Sequence, residues 1–398
     1  MEIIRAGITI NKKDFTKSFF LFFYLLAFYG IITILIPDLF FPAEIQLHVK
    51  IAVNLIICVF ILLNDFIAKR INKLALTFMP VLLICLSFTF YFMTTIVQII
   101  AIIIMAIAFS CQIIQPFVFF RNTTTLLERG RIAGMLSLLI LPIIFFLELI
   151  PLNSVNDLYF PLITLLLNVG YLLIITKGSQ VTGQAVNLQN SLSGEKFFEK
   201  RVILLYLIPW IMFSIINVTL AQNISLAVIS NMPEIIHISL IGLQTIGVCF
   251  GTILAGIITD FYGRRVALIA SLTLYGISVV IQGIFNFGAL SIGYFLNGTS
   301  WGLLFVMYFF VIFSDLSNKS NALKMFALGL FPYFIATTIG QIYQFILPDI
   351  PVSSLLTCLI IFLAIIPIFF APELMSQDFI YNLKIKRHLK EIKKHSKN

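Results

Sequence analysis

Two sets of residues carry polar chemistry through this otherwise apolar chain. The first sets a carboxylate against arginines, as Gly256-x-x-x-Asp260-x-x-Gly263-Arg264-Arg265. It is echoed by Asp65, Lys69 and Arg70 and joined by Glu128 and Arg129. A carboxylate so placed can take charge-assisted hydrogen bonds from guanidinium groups. It can also accept the first N–H groups of a neighbouring helix, whose end carries partial positive charge. The bland alternative is a tight turn whose solvated charges only fix orientation. The second set is neutral. Trp210, Ser214 and Asn217 recur at helical spacing, as do Asn297, Trp301 and Tyr308, and Tyr333, Thr337, Gln341 and Gln344. Each set falls on one helix face, and Gln244 adds an amide. These groups can hydrogen-bond a neutral polar ligand while their rings stack on its apolar face. They can equally tie helix to helix, at about 0.6 kcal/mol per bond.

Other chemistries lack their residues. Cys58, Cys85, Cys111, Cys249 and Cys358 all lie in apolar runs and form no CxxC pair, so they read as small core residues. The four histidines are scattered, which argues against a metal site. No G-x-x-x-x-G-K-[ST] phosphate loop occurs. No enzyme activity, metal or cofactor is expected. Of the acids, Glu148 alone falls inside an apolar span. It could exchange a proton or reach the outer headgroup region.

The elements that hold these residues follow from composition. Of 398 residues 60% are hydrophobic and only 11% charged, against about 25% charged in a soluble domain. Mean hydropathy is +1.06. Lipid must solvate such a chain. A spanning helix needs about 20 apolar residues, which gives twelve segments near 18–36, 47–63, 74–93, 96–119, 132–150, 158–176, 202–222, 237–259, 266–285, 289–313, 322–346 and 352–370. The uncharged runs Leu74–Phe120 and Val266–Ser314 would each make a helix of about 70 Å, so both must fold as hairpins. Their turns are expected near Thr94–Thr95 and Asn286–Gly288, where small and polar residues cluster. The stripe Gly242, Gly247, Gly251, Ala255 and Gly256 reads as helix packing. The fold class is an all-α membrane protein.

With an even number of spans, every Lys and Arg except Lys50 falls on one side. The positive-inside rule makes that side the cytoplasm and puts both termini there, in the cell membrane. The net charge of +9 is then topology, and no nucleic-acid partner is expected. The basic tail reads as a cytoplasmic anchor.

An internal repeat organises the spans. Asp65-Phe66-Ile67-Ala68-Lys69-Arg70 and Asp260-Phe261-Tyr262-Gly263-Arg264-Arg265 lie 195 positions apart. The same offset pairs Arg129 with Lys324, Gly134 with Gly329, and the two hairpins. The chain divides into a six-helix half (1–176), a linker (177–201), a second six-helix half (202–371) and a basic tail (372–398).

The loop around Asp260 resembles the signature loop of the major facilitator superfamily of transporters. Glu128-Arg129-Gly130-Arg131, Asp315 with Lys319 and Lys324, and Pro372-Glu373 resemble further family features. The first copy departs from the pattern at Ile61 and Ala68, and both copies carry Phe (Phe66, Phe261) where the family usually has a base. The resemblance implies two six-helix pseudo-repeats with cytoplasmic termini and a cavity between the halves. It implies that Asp65 faces the start of span 11 and Asp260 the start of span 5, as parts of a cytoplasmic gate. The expected activity is secondary transport of a small neutral or amphipathic solute by alternating access, by a monomer, with a proton as one candidate coupling ion. A non-transporting receptor or assembly partner on the same fold is the alternative.

Overall fold

The structure, a computed structural model, describes residues 10–70, 82–83, 86, 94–148, 159–178, 200–224, 234–283, 287–318, 320–346 and 354–375. Every regular element among them is helical. Eight of these helical stretches are long and apolar enough to cross a membrane. The chain is an all-α, multi-pass membrane protein.

Helix α1 (Lys12–Gly30) starts where the Asn11 side chain accepts the Lys13 N–H, an ordinary N-cap. It runs through a π-helical stretch, Ile31–Leu35, into α2 (Ile36–Phe40). The first span is therefore longer than 18–36, because the cap lets three lysines continue the helix below its apolar stretch. Helix α3 is Ala43–Arg70. The uncharged run after it resumes as α4 (Thr95–Gln112) and α5 (Gln115–Thr123), so a helix does begin at the expected turn. Next come α6 (Arg129–Glu148), α7 (Tyr159–Gly178) and α8 (Lys200–Ile224). Helices α9 (Glu234–Phe261), α10 (Arg264–Gln282) and α11 (Phe287–Phe305) follow. The second long uncharged run is thus split between α10 and α11. A buried π-helical stretch, Val306–Ile312, leads into α12 (Phe313–Leu316). The last elements are α13 (Ala322–Ile346) and α14 (Ser354–Phe370). Most of span 74–93, linker residues 179–199 and the tail beyond 375 lie outside the described residues.

Lipid exposure is visible on the outside. Leu166, Ile246, Ile292, Leu359 and Phe370 all present large apolar side chains outward, an arrangement that water would penalise. Inside, helix pairs close on small residues. Gly247 and Gly251 of α9 face Gly298 and Gly302 of α11, and a Cβ at any of them would collide with a backbone carbonyl of the other helix. Lipid supplies no hydrophobic drive, so such close backbone approach is what holds membrane helices together. Gly242 is different: a Cβ there meets nothing within 4 Å. The packing stripe therefore starts at Gly247.

Two long crossings stand out among the contacts that join the amino-terminal helices to the carboxy-terminal ones in the described residues. Helix α3 packs along α13, and α6 along α9. Under the 195-residue offset α3 corresponds to α9 and α6 to α13, so the two crossings are the same pairing with roles exchanged. The end of the molecule that carries Asp38 and Lys50 ties those two into an ion pair, 2.7 Å long.

The Asp65 segment is not a loop. Helix α3 continues through it to Arg70, whereas α9 stops at Phe261. The cause is one residue. Gly263 breaks the helix with φ +110°, a conformation that costs an L side chain dearly. Its counterpart 195 positions earlier is Ala68, which stays helical.

Candidate functional site

The site forms where α6, α9, α10 and α12 converge. Gly263 offers α10 no capping side chain. Glu373, which follows α14, fills that role, its two carboxylate oxygens accepting the N–H groups of Arg264 (2.9 Å) and Arg265 (3.1 Å). A Cβ on Gly263 would stand 2.6 Å from one of those oxygens. Glycine is needed here for space as well as for φ.

Asp260 does for α6 what Glu373 does for α10. Its carboxylate accepts the backbone N–H groups of Gly130 (3.0 Å) and Arg131 (2.9 Å), in the first turn of α6. It also pairs with the Arg131 side chain (3.1 Å) and with Arg264 (3.3 Å). Negative charge at a helix start is favoured by the orphan N–H groups and the dipole. The approach depends on glycine at both helices. Gly256 packs on the backbone of Gly130 and Arg131, and a Cβ at Gly130 would meet Asp260 at 2.6 Å.

Asp315 of α12 is held by two guanidinium groups, Arg129 through Nη1 and Arg264 through Nε at 2.8 Å. The remaining donors are used as well. Arg264 reaches the carbonyls of Thr259 and Leu126, both at 2.6 Å, and Arg129 reaches the Thr124 hydroxyl and carbonyl, both at 3.2 Å. Arg121 fastens the next turn through the Ser317 carbonyl (2.9 Å). Three arginines and two aspartates are thus buried together. Charges taken out of water are tolerable only when so fully paired. Each aspartate is bonded from both ends of the chain: Arg129, Gly130 and Arg131 on one side, Arg264 on the other.

The signature residues make further contacts. Glu128 takes the N–H (3.2 Å) and hydroxyl (3.0 Å) of Thr125, the local bond of a capping box. Arg70 lies over the Phe66 ring at 4.2 Å, and Arg131 over Phe261 at 5.4 Å. Both phenylalanines at the base positions of the motif therefore serve as cation–π faces. Arg265 similarly sits over Phe369 at 5.8 Å. Asp65 is half-buried on α3, which packs along α13. The side chains of Lys69, Glu148 and Gln344 lie outside the described residues.

The neutral candidates fall into separate groups, and most are bonded within the protein. Trp210 is buried, donates to the Gly329 carbonyl (2.8 Å) and stacks on Tyr308 at 4.4 Å. Asn217 accepts from the Trp301 indole (2.9 Å) and the Tyr275 hydroxyl (2.8 Å). Gln244 donates to Asn297 (3.2 Å). Gln341 accepts from Asn54 (3.3 Å), which in turn accepts from Tyr29 (3.0 Å). The Ser214 and Tyr308 hydroxyls are buried and have no hydrogen-bond partner among the described residues. Beyond Trp210 the helices meet through Phe22, Phe117, Phe120, Phe309 and Phe310, whose rings lie in mutual contact. The wiring makes Asn217→Leu worse than Trp301→Phe. Asn217→Leu removes the acceptor of two donors and Trp301→Phe removes one donor, each bond being worth about 1 kcal/mol. Thermal unfolding in detergent is expected to rank them in that order.

Several participants escaped the sequence reading. Tyr29 and Asn54 were detectable as polar residues in apolar spans, which are costly there. Tyr24 was too: its hydroxyl lies 2.7 Å from Gln112 Oε1 and 3.0 Å from Asn168 Oδ1. The pairing of Arg129 with Asp315 had no local signal, since 186 positions separate them.

Fold and site together define the class, a helical multi-pass membrane protein with a buried ionic cluster at one end. Comparison with protein-family models finds no match, and comparison with curated proteins finds none either.

Proposed function

We propose that this protein is a secondary transporter resembling the major facilitator superfamily, and that it moves a small neutral or amphipathic solute by alternating access. In this reading twelve spans form two six-helix halves with cytoplasmic termini, and the cluster at Asp260 and Asp315 is the cytoplasmic latch. One observation carries the proposal. Among the described residues, buried charged side chains tie residues 129–131 to residues 260–315: Asp260 holds the start of α6 and Arg131, and Asp315 holds Arg129. Rigid halves that rock about a fixed site need such a contact at one end, closed in one state and open in the other. The sparse charge elsewhere supports a neutral solute, and the Ser214 and Tyr308 hydroxyls are the candidate groups left without an internal partner among the described residues.

Purified protein in proteoliposomes tests this. Saturable flux of at least one compound from a neutral-solute panel is expected, measured with and without a pH gradient. No flux across the panel under either condition would overturn the proposal. If a proton is coupled through Glu148, the Glu148→Gln variant loses the gradient dependence and keeps downhill exchange.

The second reading is a receptor or assembly partner. The internal bonding of the amides and the ring-filled contact between helices favour it, and it predicts no flux with an intact, stable protein.

A further inference from the structure

One cation of α1 has no use in any of this. Lys17 is 92% buried, being 8% exposed, and its ammonium has no hydrogen-bond partner among the described residues. A buried ammonium without a counter-charge is costly, and the cost is relieved by an anion. Lys17 lines an open groove of about 530 Å³ with Asn11, Lys12, Lys13, Thr16, Phe20 and Ile174. The lining mixes three lysines, Thr16 and Asn11 with two apolar residues, Phe20, which is 49% exposed, and Ile174 of α7. Asp14, the acid of the same turn, does not line the groove. The groove opens at the start of a membrane-crossing helix, where headgroups meet hydrocarbon.

We propose that this groove binds a phosphate group, carried by an anionic phospholipid headgroup or free, with Lys17 as its anchoring cation. Lys12 and Lys13 line the same groove and add charge. Phe20 and Ile174 suit the first carbons of an acyl chain, which would make a lipid the better ligand. The proposal stands independently of transport.

The test uses the full chain in detergent, with phosphatidylglycerol, phosphatidylcholine or inorganic phosphate added. Retained lipid is counted by native mass spectrometry and stability by thermal shift. Wild type is expected to retain phosphatidylglycerol over phosphatidylcholine. Lys17→Gln is expected to weaken that retention about five- to tenfold, on the scale of one interfacial cation near an anionic headgroup. Lys17→Arg keeps the charge and is expected to keep the preference, and Lys200→Gln, an exposed base elsewhere, leaves it unchanged. A thermal shift with inorganic phosphate that Lys17→Gln abolishes, without any phosphatidylglycerol preference, assigns the site to free phosphate. Retention and phosphate response both unchanged in Lys17→Gln would overturn the proposal. Should Lys17→Gln not purify as a monodisperse species, Lys12→Gln/Lys13→Gln decides. A severalfold loss of phosphatidylglycerol supports the site, and no loss removes it.

Discussion

Replacing Asp315 with asparagine is expected to weaken the closed cluster by about 3–5 kcal/mol, the usual cost of removing one partner from a buried ion pair. Asp315 holds both Arg129 and Arg264. Its loss strands Arg129 most severely, because Arg264 keeps Asp260 and two carbonyls while Arg129 keeps only Thr124 and a long contact to the Arg121 carbonyl. On the latch reading, even the lower figure shifts the closed population by about a hundredfold, since each 1.4 kcal/mol is tenfold. Nitroxide labels at Leu127 and Ser320, one on each side of the cluster and both exposed, would report it. The distance distribution is expected to gain a longer component in Asp315→Asn. Adding Arg129→Gln removes the stranded charge and is expected to recover part of the loss, as a double-mutant cycle would show. An unchanged distance distribution together with an unchanged unfolding temperature would sink the latch.

Gly251→Leu is expected to be the most damaging substitution outside the cluster. An overpacked core side chain costs about 1–3 kcal/mol when neighbours can move aside. At Gly251 the neighbour is the Thr299 backbone of α11, and backbone cannot rotate away. The two helices must separate, and the reciprocal contacts at Gly247, Gly298 and Gly302 go with them. Gly242→Leu on the same helix is the matched control, because a Cβ there meets nothing within 4 Å. Size-exclusion profiles and unfolding temperatures are expected to show near-wild-type behaviour for Gly242→Leu and loss of the monodisperse protein for Gly251→Leu. Equal behaviour of the two variants would contradict the close α9–α11 crossing.

The glycine stripe shows how far residues in order can be read. Spacing alone marks Gly247 and Gly251 as a packing face, since small residues at that interval lie on one side of a helix. It cannot separate Gly242 from them, because what lies opposite belongs to another part of the chain. The Asp65 segment is a similar case. The repeat makes it look like a copy of the Asp260 loop, yet Ala68 in place of Gly263 lets α3 run on, and Asp65 ends on a helix face. That difference was open to view in the sequence, as a backbone argument about one residue.

Hydropathy, charge spacing and single glycines are local properties, so they were legible without a fold. They were enough for an all-helical membrane chain, for splitting the second long uncharged run, and for marking Asp260, Gly263 and Arg264 as chemically unusual. Pairing is not local. Asp260 finds the first turn of α6, Arg129 finds Asp315, Glu373 caps α10, and Gln341 joins Asn54, each across more than a hundred positions of chain. No residue type distinguishes one buried arginine's carboxylate from another's. The choice is made by which helices can approach closely, and that is set by glycine-to-backbone contacts on several helices at once. The packed helices therefore turned a list of polar residues into one bonded cluster and several separate groups.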